Sequence, residues 1–122
     1  MKFAQDRPHQ GYVITSYDSD SISINGKVFS QSLIIAANQL QQSWELKSIE
    51  ALQENHINQI LSFQPELIIL GTGDSLVFPA TETYSAIINL GIGVDFMDTG
   101  AACRTYNILM SEGRNVVAGL II

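Results

Sequence analysis

The first 47 residues of this chain read as β-rich, with apolar and polar positions alternating in parts, and the period then changes. Residues 11–17 alternate imperfectly, Asp18-Ser19-Asp20 has turn composition, and Ser21-Ile22-Ser23-Ile24 keeps strict period two up to Asn25-Gly26. Period two places every second side chain on one face of a strand, and Asn-Gly supplies the two positive-φ positions of a tight hairpin turn. The pattern predicts a hairpin whose return strand covers residues 27–36. Residues 38–43 are polar and Gln-rich, which predicts a loop leading into a short extended piece at residues 44–47.

After Ser48 helix and strand signals take turns. Ile57, Ile60 and Leu61 give one apolar face to a helix over residues 53–62 that Pro65 stops, and residues 66–70 form a continuous apolar run suited to a parallel strand buried on both faces. Pro79 opens a second helix whose Tyr84, Ile87, Ile88 and Leu90 are expected to face inward, with Gly91 as its αL cap. Residues 93–97 make the next strand, Thr99 reads as the N-cap of a third helix through Glu112, Gly113 ends it, and residues 115–122 form a last strand. This order, a β-hairpin region followed by αβαβαβ, predicts an α/β fold: one three-layer domain over residues 1–122 built on a mixed sheet.

Composition narrows the functional classes. At 122 residues and 46% hydrophobic, the chain can bury a core without a metal or disulfide. Its one cysteine, Cys103, cannot form an intrachain disulfide, and no basic segment followed by an apolar one marks a secretion signal, so a cytoplasmic location is expected. The longest apolar runs fall well short of the roughly 20 residues that span a bilayer. Between Ser48 and Cys103 there is no Lys or Arg, whereas Glu50, Glu54, Glu66, Asp74, Glu82, Asp95 and Asp98 all lie there. With a formal charge of −6 the chain offers no footprint for nucleic acid or for an anionic membrane surface. A protein partner or a small molecule is the expected company.

The candidate chemistry gathers at two strand-to-loop junctions. Gly71-Thr72-Gly73 follows an apolar strand, but the third glycine of a dinucleotide fingerprint is Leu76 here and no Walker lysine follows, so Rossmann and P-loop readings fail. What remains is a tight exit from the strand, or backbone amides facing a ligand at the sheet edge. At the second junction Asp98-Thr99-Gly100-Ala101 shares its tripeptide with aspartic proteases, and Gly113-Arg114-Asn115 echoes their late motif. A helix directly after the Asp loop is the wrong context for those enzymes, and an acid there suits a helix start.

Cys103 falls in the first turns of the third helix, where amide dipoles can activate a thiol, yet His9 and His56 are distant in sequence; a buried inert cysteine is the simpler expectation. Ligands this scattered give no zinc spacing. Arg104, Asn107 and Ser111 share a polar helical face, suited to an anion contact or to pairing of Arg104 with Asp95 or Asp98, and Tyr106 suits either a core or a stacking role.

Taken together, Gly71-Thr72-Gly73 after an apolar strand and Met97-Asp98-Thr99-Gly100-Ala101-Ala102-Cys103-Arg104-Thr105-Tyr106-Asn107, followed by Glu112-Gly113-Arg114, resemble the Mth-domain family. These are small bacterial and archaeal proteins similar to the mitochondrial complex I assembly factor and to an adipogenesis-associated animal protein. The likeness runs from about Gly11 to Ile122, and without a mitochondrial transit peptide the chain reads as a bacterial member. It implies a three-layer α/β fold and a role in assembling a membrane complex through protein contacts, and brings no reaction or catalytic residues; no cofactor or metal is expected.

The reading that results is a non-enzymatic cytoplasmic protein-binding or assembly-factor module. Its candidate surface comprises Gly71, Thr72, Gly73, Asp98, Thr99, Gly100, Cys103, Arg104, Tyr106 and Asn107. The alternative is an anion-binding small-molecule site, or an enzyme, where the two loops converge. A homo-oligomer is compatible with either.

Overall fold

A computed structural model describes residues 11–122; His9 lies outside them. The strands are β1 (Ile14–Tyr17), β2 (Ile22–Ile24), β3 (Lys27–Phe29), β4 (Leu33–Ala36), β5 (Gln39–Gln41), β6 (Leu67–Gly71), β7 (Gly93–Met97) and β8 (Val116–Leu120). The helices are α1 (Glu54–Leu61), α2 (Thr81–Asn89) and α3 (Thr99–Ser111). Strands β1, β2 and β3 form an antiparallel sheet, and a five-stranded mixed sheet has the order β5-β4-β8-β6-β7 with β8, β6 and β7 mutually parallel. The β2–β3 turn uses Asn25 and Gly26 at φ 51° and 86°, the mirror-image turn that matches strand twist.

Period-two alternation decides what each face of the central sheet buries. Ile34, Ile68, Leu70 and Val117 point to one side, where they meet Trp44, Leu46, Ile57, Ile60 and Ile87. Leu33, Ile35, Ile69 and Ala118 point to the other, against Ala102, Cys103 and Tyr106 of α3 and Ile14, Ile22 and Ile24 of the small sheet. Three layers result: α1 and α2, the five-stranded sheet, and α3 with the three-stranded sheet. Gly119 allows this packing, because a Cβ there would lie 2.8 Å from two Trp44 ring carbons and 2.9 Å from Leu70 Cδ2.

Several expectations need correction. The return strand over residues 27–36 is two strands, β3 and β4, which leave one sheet and enter the other through residues 30–32. Ser32 anchors the crossing, its carbonyl accepting from Trp44 N–H at 2.7 Å and its hydroxyl from Ile122 N–H at 3.1 Å. The expected loop at 38–43 contains β5, a polar edge strand whose single apolar residue, Leu40, leaves no legible alternation. Residues 44–47 join no ladder; Trp44 and Leu46 are buried, their N–H groups donating to Ser32 O and Trp44 O. On α2, Ile87 is buried, but Ile88 and Leu90 are 52% and 63% exposed, since only one narrow stripe of that helix meets the sheet. Gly91 and Gly113 do take positive φ after α2 and α3, at 80° each.

Candidate functional site

Strands β6 and β7 are parallel neighbours, so the loops that leave them emerge on the same edge of the sheet. There Thr99 ties them together. Its N–H donates to Gly73 O at 2.8 Å, its Oγ1 accepts from Gly73 N–H at 2.8 Å, and the hydroxyl proton goes to Ile121 O at 2.7 Å. Gly71 is glycine because α3 packs directly on it: a Cβ would approach Thr99 Cα and Oγ1 to 3.0 Å and Ala102 Cβ to 3.1 Å. Thr72 closes the following turn, its hydroxyl donating to Ser75 O at 2.6 Å and accepting from Val77 N–H at 3.2 Å.

The helix cap is Asp98, not Thr99. Its Oδ1 accepts from Ala101 N–H at 2.9 Å, while Thr99 is the first helical residue and its hydroxyl is already committed to the two strand exits. A carboxylate on the free amides also complements the helix dipole.

Beside this knot lies a cleft of about 430 Å³. Thr72, Gly73 and Asp74 form one wall and Asp98, Thr99 and Gly100 another. Tyr17, Asp18, Ser19, Lys47, Ser48, Ile121 and Ile122, none of them singled out by the sequence motifs, complete it. Asp18 belongs to a turn whose Asp20 N–H donates to its carboxylate at 2.8 Å, joined by the N–H and hydroxyl of Ser21; these bonds lower its pKa from the ordinary value. The cleft thus sets the carboxylates of Asp18, Asp74 and Asp98 against the single ammonium of Lys47. That balance favours a cationic or neutral polar ligand over an anion, and the helix start that would hold an anion is occupied by Asp98.

The other candidate residues are placed elsewhere. Cys103 and Tyr106 are fully buried against the small sheet, and burial pushes the Cys103 thiol up to about 12. Burial likewise raises the Tyr106 phenol, whose O–H donates to Tyr12 O at 2.7 Å. Asn107 acts as a strand-edge clip: its amide accepts from Ile14 N–H at 3.0 Å and donates to Ile14 O at 2.7 Å. Arg104 is exposed and lies over the Tyr17 ring, 5.8 Å from its centroid, donating to the Tyr17 hydroxyl in place of the expected Asp95 or Asp98.

His56 packs edge-on to Trp44, across the central sheet from Cys103, so His56 does not pair with that thiol. It is a structural side chain, Nδ1 accepting from Gln53 N–H and Nε2–H donating to Glu45 O, each at 3.0 Å. Among the described residues no group of three or more His, Cys, Asp or Glu side chains is arranged to hold a metal. A second hollow of about 670 Å³ lies beside Ser32, Trp44 and Leu46, and the buried Trp44 Nε1 has no hydrogen-bond partner among the described residues.

With the architecture and the Gly71–Thr99 junction in place, comparison with known proteins decides the family. Residues 14–121 match the family described as "Protein of unknown function (DUF498/DUF598)". This chain belongs to the DUF498/DUF598 family. It is 37% identical over 117 residues to the "13 kDa major membrane protein" of Francisella tularensis subsp. holarctica (strain LVS), covering 95% of each chain. It is 31% identical over 124 residues to the rat "NADH dehydrogenase [ubiquinone] 1 alpha subcomplex assembly factor 3", covering 99% of this chain and 66% of that one. The solution structure of a Bordetella pertussis protein described as a Mth938-like domain superposes with a TM-score of 0.81 at 27% identity, covering 99% of this chain and 92% of the other. These findings agree with the Mth-domain resemblance in the sequence. No described helix of this DUF498/DUF598 member is long and apolar enough to cross a membrane.

Proposed function

We propose that this chain is a non-enzymatic cytoplasmic module that holds another polypeptide while a larger complex is assembled. Its similarity to proteins named as assembly factors supports the reading at family level. The observation that carries it is the apolar margin around α2 and β7. Phe78 is 65% exposed and stands edge-on to Phe96 at 5.9 Å, with half-exposed Leu76 nearby in the same loop. At the other end of α2, Ile88 and Leu90 lie open to solvent just before β7 begins. Large apolar side chains exposed at both ends of α2 suit a surface that a partner covers.

Affinity capture of the tagged protein from its native cells tests this. The Leu76→Ser, Phe78→Ser double variant is expected to keep the wild-type melting temperature and to lose the captured protein. Full retention of the partner by that variant overturns the reading. The cleft between the Gly71–Gly73 loop and the Asp98–Gly100 helix start supports a second reading, a small polar ligand. That one gains ground if Asp74→Ala and Asp98→Asn abolish binding of a compound while the apolar double variant does not.

A further inference from the structure

We infer that the outer edge of β7 is a docking rail for an extended segment of another polypeptide, which joins the central sheet as a sixth strand. The inference rests on the protein-binding reading above and specifies the partner's backbone and its side-chain pattern. β7 ends the strand order, and among the described residues nothing pairs its outer side. The free groups can be named. Gly93 N–H donates to Glu66 O and Met97 O accepts from Thr72 N–H, so residues 93, 95 and 97 turn their backbone groups toward β6. In a parallel ladder alternate residues point opposite ways, which leaves the N–H and C=O of Val94 and Phe96 directed outward.

An open edge with apolar neighbours is usually guarded by charge, bulge or proline. Here the only charged residue on β7 is Asp95. Side chains flanking this edge fix what an added strand must carry. Val94 and Phe96 face the α2 side, where exposed Phe78 and half-buried Tyr84 extend the apolar surface, Tyr84 lying 4.8 Å from Phe96. Residues paired with them must be apolar. Asp95 points to the opposite face, the α3 side, and is exposed; the sequence from Ser48 to Cys103 has no Lys or Arg, and Arg104 of α3 is engaged with Tyr17. The partner residue opposite Asp95 is therefore Lys or Arg, and the segment reads apolar, basic, apolar. A second copy of this chain fits worse, because the antiparallel register that sets Val94 against Phe96 places Asp95 directly opposite Asp95.

Selection of random twelve-residue peptides displayed on phage against the immobilised full chain tests the rail. Enriched peptides are expected to alternate apolar residues with Lys or Arg. Their binding should weaken about tenfold in the Asp95→Lys variant, an exposed change that leaves the fold intact. N-methylation of alternate peptide amides should abolish binding, and in NMR hydrogen exchange the Val94 and Phe96 amides should become protected on binding while Asp95 is protected throughout. Peptides without the alternating pattern, or unchanged exchange at Val94 and Phe96, overturn the rail. If those results accompany loss of the native partner in the Leu76→Ser, Phe78→Ser variant, the rail alone fails and the apolar surface stands. A concentration-dependent dimer in sedimentation that Asp95→Lys disrupts would also overturn it, assigning the edge to a second copy.

Discussion

Replacing Thr99 by Val removes a hydroxyl while keeping the side chain's shape, and the structure makes this a severe change for so small an edit. Two hydrogen bonds disappear together, the one accepted from Gly73 N–H at 2.8 Å and the one donated to Ile121 O at 2.7 Å, at a residue only 9% exposed. Each such bond contributes about 1 kcal/mol net, and stranding the part-buried Gly73 N–H and the buried Ile121 C=O adds to that, so the loss is about 2–3 kcal/mol. For a chain of this length 2 kcal/mol lowers the melting temperature by about 8 °C. Urea unfolding followed by Trp44 fluorescence measures it, with an unchanged m-value showing that compactness is preserved. Thr99→Ser, which keeps both bonds, should lose less than about 1 kcal/mol. A Val variant within about 0.5 kcal/mol of wild type, or a Ser variant as damaged as the Val one, refutes the claim that this hydroxyl joins the two loops.

Asn107→Ala removes both clips on Ile14 and should cost about 2 kcal/mol, read by the same unfolding assay, with faster hydrogen exchange at the Ile14 amide. Gly119→Ala should cost about 1–3 kcal/mol and shift Trp44 emission, because the new methyl collides with the indole ring. Native Cys103 should resist a disulfide reagent at pH 8 and react only as urea unfolds the chain. Since its folded pKa stands at about 12 against 9.0 unfolded, the stability it lends is complete below pH 9 and is lost as pH rises toward 12, which unfolding at pH 8 and pH 10.5 would register. In flotation with anionic vesicles at low salt the chain should stay unbound, given its charge of −6; bound protein would contradict the absence of an electrostatic membrane footprint.

The elements that were legible are those with one dominant local signal. Asn25-Gly26 has a single good hairpin solution, and the uninterrupted run Leu67-Ile68-Ile69-Leu70 has little choice but a strand covered on both faces. The division of residues 27–36 was not legible, because Val28, Phe29, Leu33, Ile34 and Ile35 are equally good strand formers whichever sheet they join. Only the long-range pairing of β4 with β8 separates them. β5 was hidden for the opposite reason: as an edge strand it needs no apolar face. The exposure of Ile88 and Leu90 runs against the inward face that the pattern predicts, because only one stripe of α2 meets the sheet.

The site shows a similar division, and it runs against first impressions. Asp98, Thr99, Tyr106 and Asn107 look like chemistry in the sequence, yet each has a hydrogen-bonding atom occupied by the fold: a helix cap, a strand-exit knot, a tether to Tyr12 and a clip on Ile14. Cys103 is sealed in the core, and His56 is bonded at both ring nitrogens. Polar groups so employed serve the fold, so the motif marks what holds the strand exits together. What the fold leaves unemployed is of another kind: the outward backbone groups of Val94 and Phe96, the exposed ring of Phe78, and carboxylates with few cations near them. No short motif announces these features, because an unpaired edge is a property of strand order and exposure is a property of packing. Those leftovers are what the proposed recognition of an extended chain would use, on the flank of β7, whose last residue, Met97, leads directly into the motif that first draws attention.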